Sequence, residues 1–371
     1  MNDEPALGLA LIGCGGFGEF CLRSFAKMSE VRIAAVADVR RAAADRLARV
    51  FAVQAHHDPA EIMTREDVDI VHIATPPSTH HQLAMAALRA GKHCLCEKPL
   101  ATNLDHADEM LSQAAEEGLV LPVNFVLRYN AVAEAVKAII RSGVLGMPLS
   151  AQLTNCASDT PLGKDHWFWD KQVSGGIFIE HGVHFFDLYS YWFGPGEVAS
   201  AAGEVRGDTG QEDRVTCTVR HESGVLASHY HGFDQILPMD RTDHRIVFEM
   251  GDVRVCGWIP LTMTVDAAVN EDSLAELTRI MSGCGVEVGE ELNADGGRVF
   301  GRGKPRAVTQ RVSISYTPES DKQAVYAESV RRLLADQVAF IRDGTHTRTV
   351  AETNGRNALA MACRAADLAR G

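Results

Sequence analysis

The sequence predicts an α/β protein: an N-terminal Rossmann domain with a doubly wound parallel sheet, followed by an α+β domain with a large open, mostly antiparallel sheet. Three observations predict it. From residue 7 to 125 short apolar or β-branched runs alternate with helical patterns. The first of these runs leads into Gly13-Cys14-Gly15-Gly16-Phe17-Gly18, placed to open a helix. From residue 149 onward strand-like runs follow one another through short turns such as His221-Glu222-Ser223-Gly224 and Gly251-Asp252. A chain of 371 residues is long enough for two domains, expected at 1–125 and 126–371.

In the first domain the apolar runs predict strands over 7–12, 33–38, 70–74, 93–96 and 119–125. Helical spacing predicts helices over 17–28, 40–51, 80–90 and 104–117, with Gly91 a natural C-terminal cap for the third. A helix over 131–141 then closes at Gly143. Strands are expected over 149–156, 198–205, 214–220, 225–230, 245–250, 253–258 and 311–316. Helices over 181–192, 324–342 and 354–369 would cover one face of that sheet. The Gly- and Arg-rich stretch 293–309 reads as an exposed loop.

Composition narrows the function classes. With 46% hydrophobic and 23% charged residues the chain is an ordinary folded protein rather than a disordered or fibrous one. A net charge of −13 disfavours nucleic acid and anionic membrane surfaces as partners. The longest apolar runs are strand-sized, so no membrane span is expected. The first residues, Met-Asn-Asp-Glu-Pro, are acidic where a secretory signal is basic, which predicts a cytoplasmic protein. Nine scattered cysteines read as buried reduced thiols. Cys94 and Cys96 are expected to be core thiols, and no metal site is expected.

The glycine-rich turn carries the nucleotide signal. Gly13 would make the tight turn, Gly15 would let backbone approach a pyrophosphate, and Gly18 would let helix pack on strand, with Gly16 and Phe17 between them also expected at the cofactor. Asp38 ends the second expected strand twenty positions after Gly18, where a carboxylate accepts from ribose hydroxyls. It would repel a 2′-phosphate and predicts NAD; Arg40 and Arg41 follow directly and leave NADP open.

Glu97-Lys98-Pro99 directly follows the strand 93–96, so Lys98 sits at a strand's C-terminal end, where open α/β sheets hold ligands. Further on, Glu180, His184 and Asp187 are four and three residues apart, and in a helix they share one face. A histidine has an intrinsic pKa near neutrality, so His184 suits the proton of a hydroxyl; Asp187 reads as structural. His166 and Trp167 open a run with two of the chain's four tryptophans, suited either to sugar stacking or to core packing. Arg128 either binds substrate or braces the domains. His229 and His231 share a strand face.

These segments, with Ala74-Thr75-Pro76-Pro77-Ser78-Thr79-His80 and Gly175-Gly176-Ile177-Phe178-Ile179-Glu180-His181-Gly182-Val183-His184, resemble the Gfo/Idh/MocA family of NAD(P)-dependent oxidoreductases. The resemblance spans both domains. It implies that Lys98 and His184 converge on the reacting carbon, that Thr75, Pro76, His80 and Glu97 join Lys98 at the cofactor, and that Pro99 is cis. Glu180 stands where the family commonly has Asp. The expected activity is hydride transfer between nicotinamide and a carbinol or carbonyl carbon of a sugar, polyol or related cyclic alcohol. A metal- or NAD-assisted lyase or glycosidase, and a non-catalytic dinucleotide sensor, are the alternatives. The family's open sheet implies a homodimer or homotetramer.

Overall fold

The computed structural model describes residues 5–292 and 299–370. The acidic Met1–Glu4 and the part of the expected loop at 293–298 lie outside the described residues.

The first sheet contains β1 (Leu7–Ile12), β2 (Val31–Ala37), β3 (Gln54–His56), β4 (Ile70–Ile73) and β5 (His93–Cys96), all parallel, in the order β3-β2-β1-β4-β5. Leu9 to Ile12 are all buried, the continuous apolar run that a strand covered on both faces requires. The crossovers are α1 (Gly16–Phe25), α2 (Arg41–Phe51), α3 (Ala60–Met63) and α4 (His80–Arg89), with α5 (Leu104–Glu117) after β5. The chain reverses its direction of travel across the sheet between β1 and β4. The loops leaving those two strands therefore flank a topological switch point, where such sheets bind ligands.

Two expectations change here. The strand expected over 119–125 is reduced to one parallel bridge, Cys96 to Val123, although Cys94 and Cys96 still donate to the Val120 and Pro122 carbonyls. Pro122 has no N–H and cannot continue a ladder. Conversely, β3 has only three residues, too few to show a period.

The second sheet contains β6 (Pro148–Ser158), β7 (Gly196–Val205), β8 (Glu212–His221), β9 (Leu226–Gln235), β10 (Arg241–Phe248), β11 (Gly251–Cys256), β12 (Thr262–Val269), β13 (Gly285–Glu291) and β16 (Gln310–Tyr316). Their order is β13-β16-β12-β11-β10-β6-β9-β8-β7, antiparallel throughout except for the β6–β9 pair. The expected loop at 293–309 instead contains a short hairpin, β14 (Val299–Gly301) with β15 (Lys304–Arg306). The remaining helices are α6 (Ala131–Ser142), α7 (Lys171–Ser174), α8 (Val183–Phe193), α9 (Glu271–Ile280), α10 (Lys322–Arg342) and α11 (Glu352–Ala369). Asn130 caps α6 by accepting from the N–H groups of Val132 and Ala133. Gly143 ends it in the left-handed conformation. The sequence reading lacked β12, α9 and β13.

Two compact units interleave along the chain. One is Met1–Val126, Lys164–Asp187 and Tyr326–Cys363; the other is Leu127–Gly163, Leu188–Val325 and Arg364–Gly371. In the first, Tyr326 packs its ring on Phe17 and Phe20 of α1. In the second, Tyr189 and Trp192 of α8 lie against His229 and His244 on the sheet. None of the nine cysteines forms a disulfide; six are buried, and Cys256 is exposed, contrary to the expectation that all are buried thiols. No described helix is long and apolar enough to cross a membrane.

Candidate active site

The glycines of the first turn separate into two kinds. A Cβ on Gly13, whose φ is +102°, would lie 2.2 Å from the Ala74 carbonyl oxygen, and one on Gly18 would lie 2.2 Å from that of Gly13. Both are therefore required by the chain's own packing. Gly15 has extended backbone that any residue adopts, and its added Cβ would meet nothing nearer than Arg40 Nη2 at 4.0 Å; Gly16 has nothing within 4 Å. Bare backbone there leaves room for a group from outside. No side chain caps the α1 N-terminus, so its N–H groups face that room and suit an anion. This cradle fits the pyrophosphate of a dinucleotide.

Asp38 borders the cradle. Its Oδ2 accepts from Cys14 N at 2.8 Å and Arg40 Nη2 at 3.0 Å, and its Oδ1 accepts from Arg40 N at 2.8 Å and Nε at 3.2 Å. Burial pushes the carboxyl pKa up, but the Arg40 and backbone donors outweigh it and hold the group below its ordinary value. Arg40 itself is 68% exposed and lies across the carboxylate rather than in a pocket. The Phe17 ring is engaged with Phe20 and Tyr326, which leaves its backbone at the turn.

The loop after β4 supplies Thr75, Pro76 and His80. Pro76 is exposed, and Thr75 Oγ1 accepts from Thr79 Oγ1 at 2.7 Å. His80 has no exposed surface; its Nε2 is 2.8 Å from Thr75 O and its Nδ1 2.7 Å from Pro99 O, so it links this loop to the turn after β5. Burial holds the ring's pKa below the ordinary histidine value, opposed by the two carbonyls. A neutral ring donates to one of them and a protonated ring to both.

The turn after β5 is Glu97-Lys98-Pro99, and the Lys98–Pro99 peptide is cis. Lys98 Nζ donates to Glu180 Oε1 at 2.5 Å and to Glu180 O at 3.0 Å, one residue binding the ammonium with both its carboxylate and its carbonyl. Lys98 is 18% exposed, and its third N–H has no partner among the described residues. Glu180 lies in a π-helical turn, Phe178–Gly182, that runs into α8, and α8 carries His184. The widened turn departs from the regular helix expected over 181–192, and such turns recur at functional sites. His184 is buried, and burial, the Lys98 charge and His181 together push its pKa well below the ordinary value. His181 is pulled down to about 3 by burial and Lys98. Lys98, Glu180 and His184 thus belong to one electrostatic group. Asp187 is buried a turn further along α8.

His166 caps a 3-10 turn by accepting from Phe168 N at 3.2 Å, with its ring 5.2 Å from that of Trp167; both are partly exposed. Arg128 belongs to the other compact unit, where its guanidinium lies 5.2 Å from the Tyr191 ring.

Sequence reasoning missed what lies under the Lys98 turn. Glu97, expected at the cofactor, is buried, and its Oε1 accepts from His72 Nε2 at 2.9 Å and Asn124 Nδ2 at 2.7 Å. Cys21, His72 and Glu97 each bring one sulfur, nitrogen or carboxylate oxygen to within 4.8 Å of the others. One signal was legible: a histidine in the otherwise apolar strand Ile70–Ile73.

Residues 7–125 match the family model described as oxidoreductase family, NAD-binding Rossmann fold, and residues 133–251 match the GFO/IDH/MocA C-terminal domain. A 1,5-anhydro-D-fructose reductase from Ensifer adhaerens is 36% identical over 177 residues, 47% of this chain and 53% of that protein. A myo-inositol 2-dehydrogenase from Thermotoga maritima is 28% identical over 225 residues, 59% of this chain and 66% of that protein. The matches thus span between half and two thirds of these relatives. Levoglucosan dehydrogenase, solved with NADH and levoglucosan, superposes with a TM-score of 0.78 over 98% of this chain and 97% of that one at 20% identity, a likeness of fold. With an NAD-binding Rossmann domain and the family's own C-terminal domain in one chain, the protein belongs to the GFO/IDH/MocA oxidoreductase family.

Proposed function

We propose that the protein is an NAD-dependent oxidoreductase that interconverts a carbinol and a carbonyl on a sugar, polyol or related cyclic alcohol. The observation that carries this is the Lys98 ammonium, anchored twice by Glu180 with one N–H left over, in the same electrostatic group as a neutral, buried His184. The glycine cradle, Asp38 and the loop from Thr75 to His80 would hold the dinucleotide, which supplies the hydride acceptor or donor when bound.

Lys98 would hydrogen-bond the reacting oxygen with its free N–H and offset the negative charge that develops there. His184, held neutral by burial and the neighbouring cation, would accept the hydroxyl proton in the oxidative direction and return it in reduction. Glu180 would keep the ammonium aimed, through its carboxylate and its carbonyl. His166 and Trp167 present a polar edge and a flat face suited to a polyhydroxylated ring.

The relatives named above act on cyclic sugars and inositols by their names, which sets the panel to assay. Titration with NADH and NADPH by fluorescence is expected to give tighter binding of NADH, because Asp38 opposes a 2′-phosphate. Turnover of at least one sugar, inositol or keto form should fall by about a hundredfold or more in Lys98→Ala and His184→Ala, with NADH affinity little changed in His184→Ala. Binding without turnover of any free carbinol or carbonyl would favour the lyase, glycosidase or sensor readings instead.

A further inference from the structure

β4 is a central strand of a parallel sheet, where side chains are apolar, and Ile70, Val71 and Ile73 conform. His72 does not, yet it has no exposed surface. A buried imidazole is costly unless it is hydrogen-bonded. Its Nε2 contact is Glu97 Oε1 at 2.9 Å, and Asn124, 1% exposed, brings Nδ2 to the same oxygen at 2.7 Å. Two buried donors from two separate segments thus converge on one carboxylate oxygen, in the residue that immediately precedes Lys98.

That placement matters because a lysine has a long, flexible stem, and where its ammonium arrives depends on where its backbone is held. Glu180 holds the tip of Lys98. The Glu97 backbone N–H donates to Ile73 O at 3.0 Å, and the Pro99 carbonyl faces His80, but the Glu97 side chain is what ties the turn to the sheet's interior. We propose that His72 and Asn124, acting through Glu97, are positioning residues that fix the root of Lys98 and so aim its ammonium at the Glu180 pair and the reacting oxygen. This rests on the role given to Lys98 above.

The rival account of the same group is a metal ion on Cys21, His72 and Glu97. The hydrogen bond between His72 and Glu97 opposes it, since an ion would have to break that contact. Burial also pushes the Cys21 thiol pKa well up, towards the protonated form that does not ligate.

The test uses the full chain with His72→Leu, which removes the donor, and His72→Gln, which keeps a side-chain N–H. Three quantities are read: NADH affinity, kcat with KM, and the rate at which Lys98 is reductively methylated relative to the other lysines, by peptide mass. In His72→Leu, NADH affinity is expected to stay within about twofold, kcat to fall by about tenfold or more, and Lys98 labelling to rise several-fold, with His72→Gln restoring most of both. Unchanged Lys98 labelling and kcat in His72→Leu, or equal damage in the Leu and Gln variants, would overturn the proposal. So would one equivalent of zinc in the purified protein that is lost in Cys21→Ser. If His72→Leu does not fold, Asn124→Asp, which sets a second carboxylate beside Glu97, takes its place, and labelling equal to the unsubstituted protein refutes the role. Labelling does not depend on turnover. Faster labelling without any sugar turnover therefore counts against the oxidoreductase reading alone.

Discussion

At the scale of single residues, the four glycines of the first turn divide by what surrounds them. Gly13 and Gly18 are fixed by contacts of 2.2 Å that a methyl group would violate, whereas Gly15 has an ordinary extended backbone and open space. Gly15→Ala is therefore expected to leave the melting temperature within about two degrees, since no native contact is lost. It should still weaken NADH binding by about tenfold or more, because the methyl group occupies the space in which the pyrophosphate meets backbone. Thermal unfolding beside a fluorescence titration checks this, and a folded variant with unchanged affinity would remove the cradle from the cofactor site. Asp38 was legible for the same reason as the glycines: its role follows from its place at the end of β2. The Lys98 anchor was half legible. The position at the end of β5 follows from local pattern, but its partner Glu180 is 82 positions away and was read as a companion of His184.

At the scale of elements, the π-helical turn and the sheet histidines show where periodicity stops informing. The spacing of Glu180, His184 and Asp187 suits a regular helix, and the chain instead widens its turn over Phe178–Gly182, so that Glu180 chelates Lys98. Gly175-Gly176 ahead of it and Gly182 within it were the available hints. In the second sheet, His229 and His244 have almost no exposed surface and pack on Tyr189. Burial holds His229 well below its ordinary pKa and His244 at about 3. Above pH 6.5 such rings are neutral both folded and unfolded, so their full contribution to stability is present. Below it the unfolded chain takes up protons that the folded one refuses, and stability falls by about 1.4 kcal/mol per ring per pH unit until the folded pKa is reached, for His244 near 3. Urea unfolding at pH 7.5, 6.0 and 5.0 should show the loss starting below pH 6.5. His244→Phe should reduce its slope; an equal slope in that variant would show that His244 is not among the rings responsible.

At the scale of the whole molecule, the nine-stranded sheet has an outward row that needs a solvent or a partner. On β9 Leu226, Ser228 and Tyr230 alternate with the buried Ala227, His229 and His231, and Leu226 is exposed. Val286 and Val288 on the edge strand β13 are exposed as well. A homodimer or homotetramer through this sheet is the expected assembly, so sedimentation at micromolar concentration should give two or four times the 40.3 kDa chain mass. A mass equal to one chain would refute it.

What the sequence determined by itself is local. The strand–turn–helix of the nucleotide motif, the acid after the second strand and the lysine at a strand end follow from short-range period and backbone sterics, which a few adjacent residues encode. Tertiary structure decided everything that depends on distant segments meeting. It brought Lys164–Asp187 and Tyr326–Cys363 into the same compact unit as the parallel sheet, carried Glu180 to Lys98, and set His72 and Asn124 on Glu97. The physical reason is the same in each case: a buried charge or polar group must find its partner through folding, and no spacing along the chain records which partner it finds.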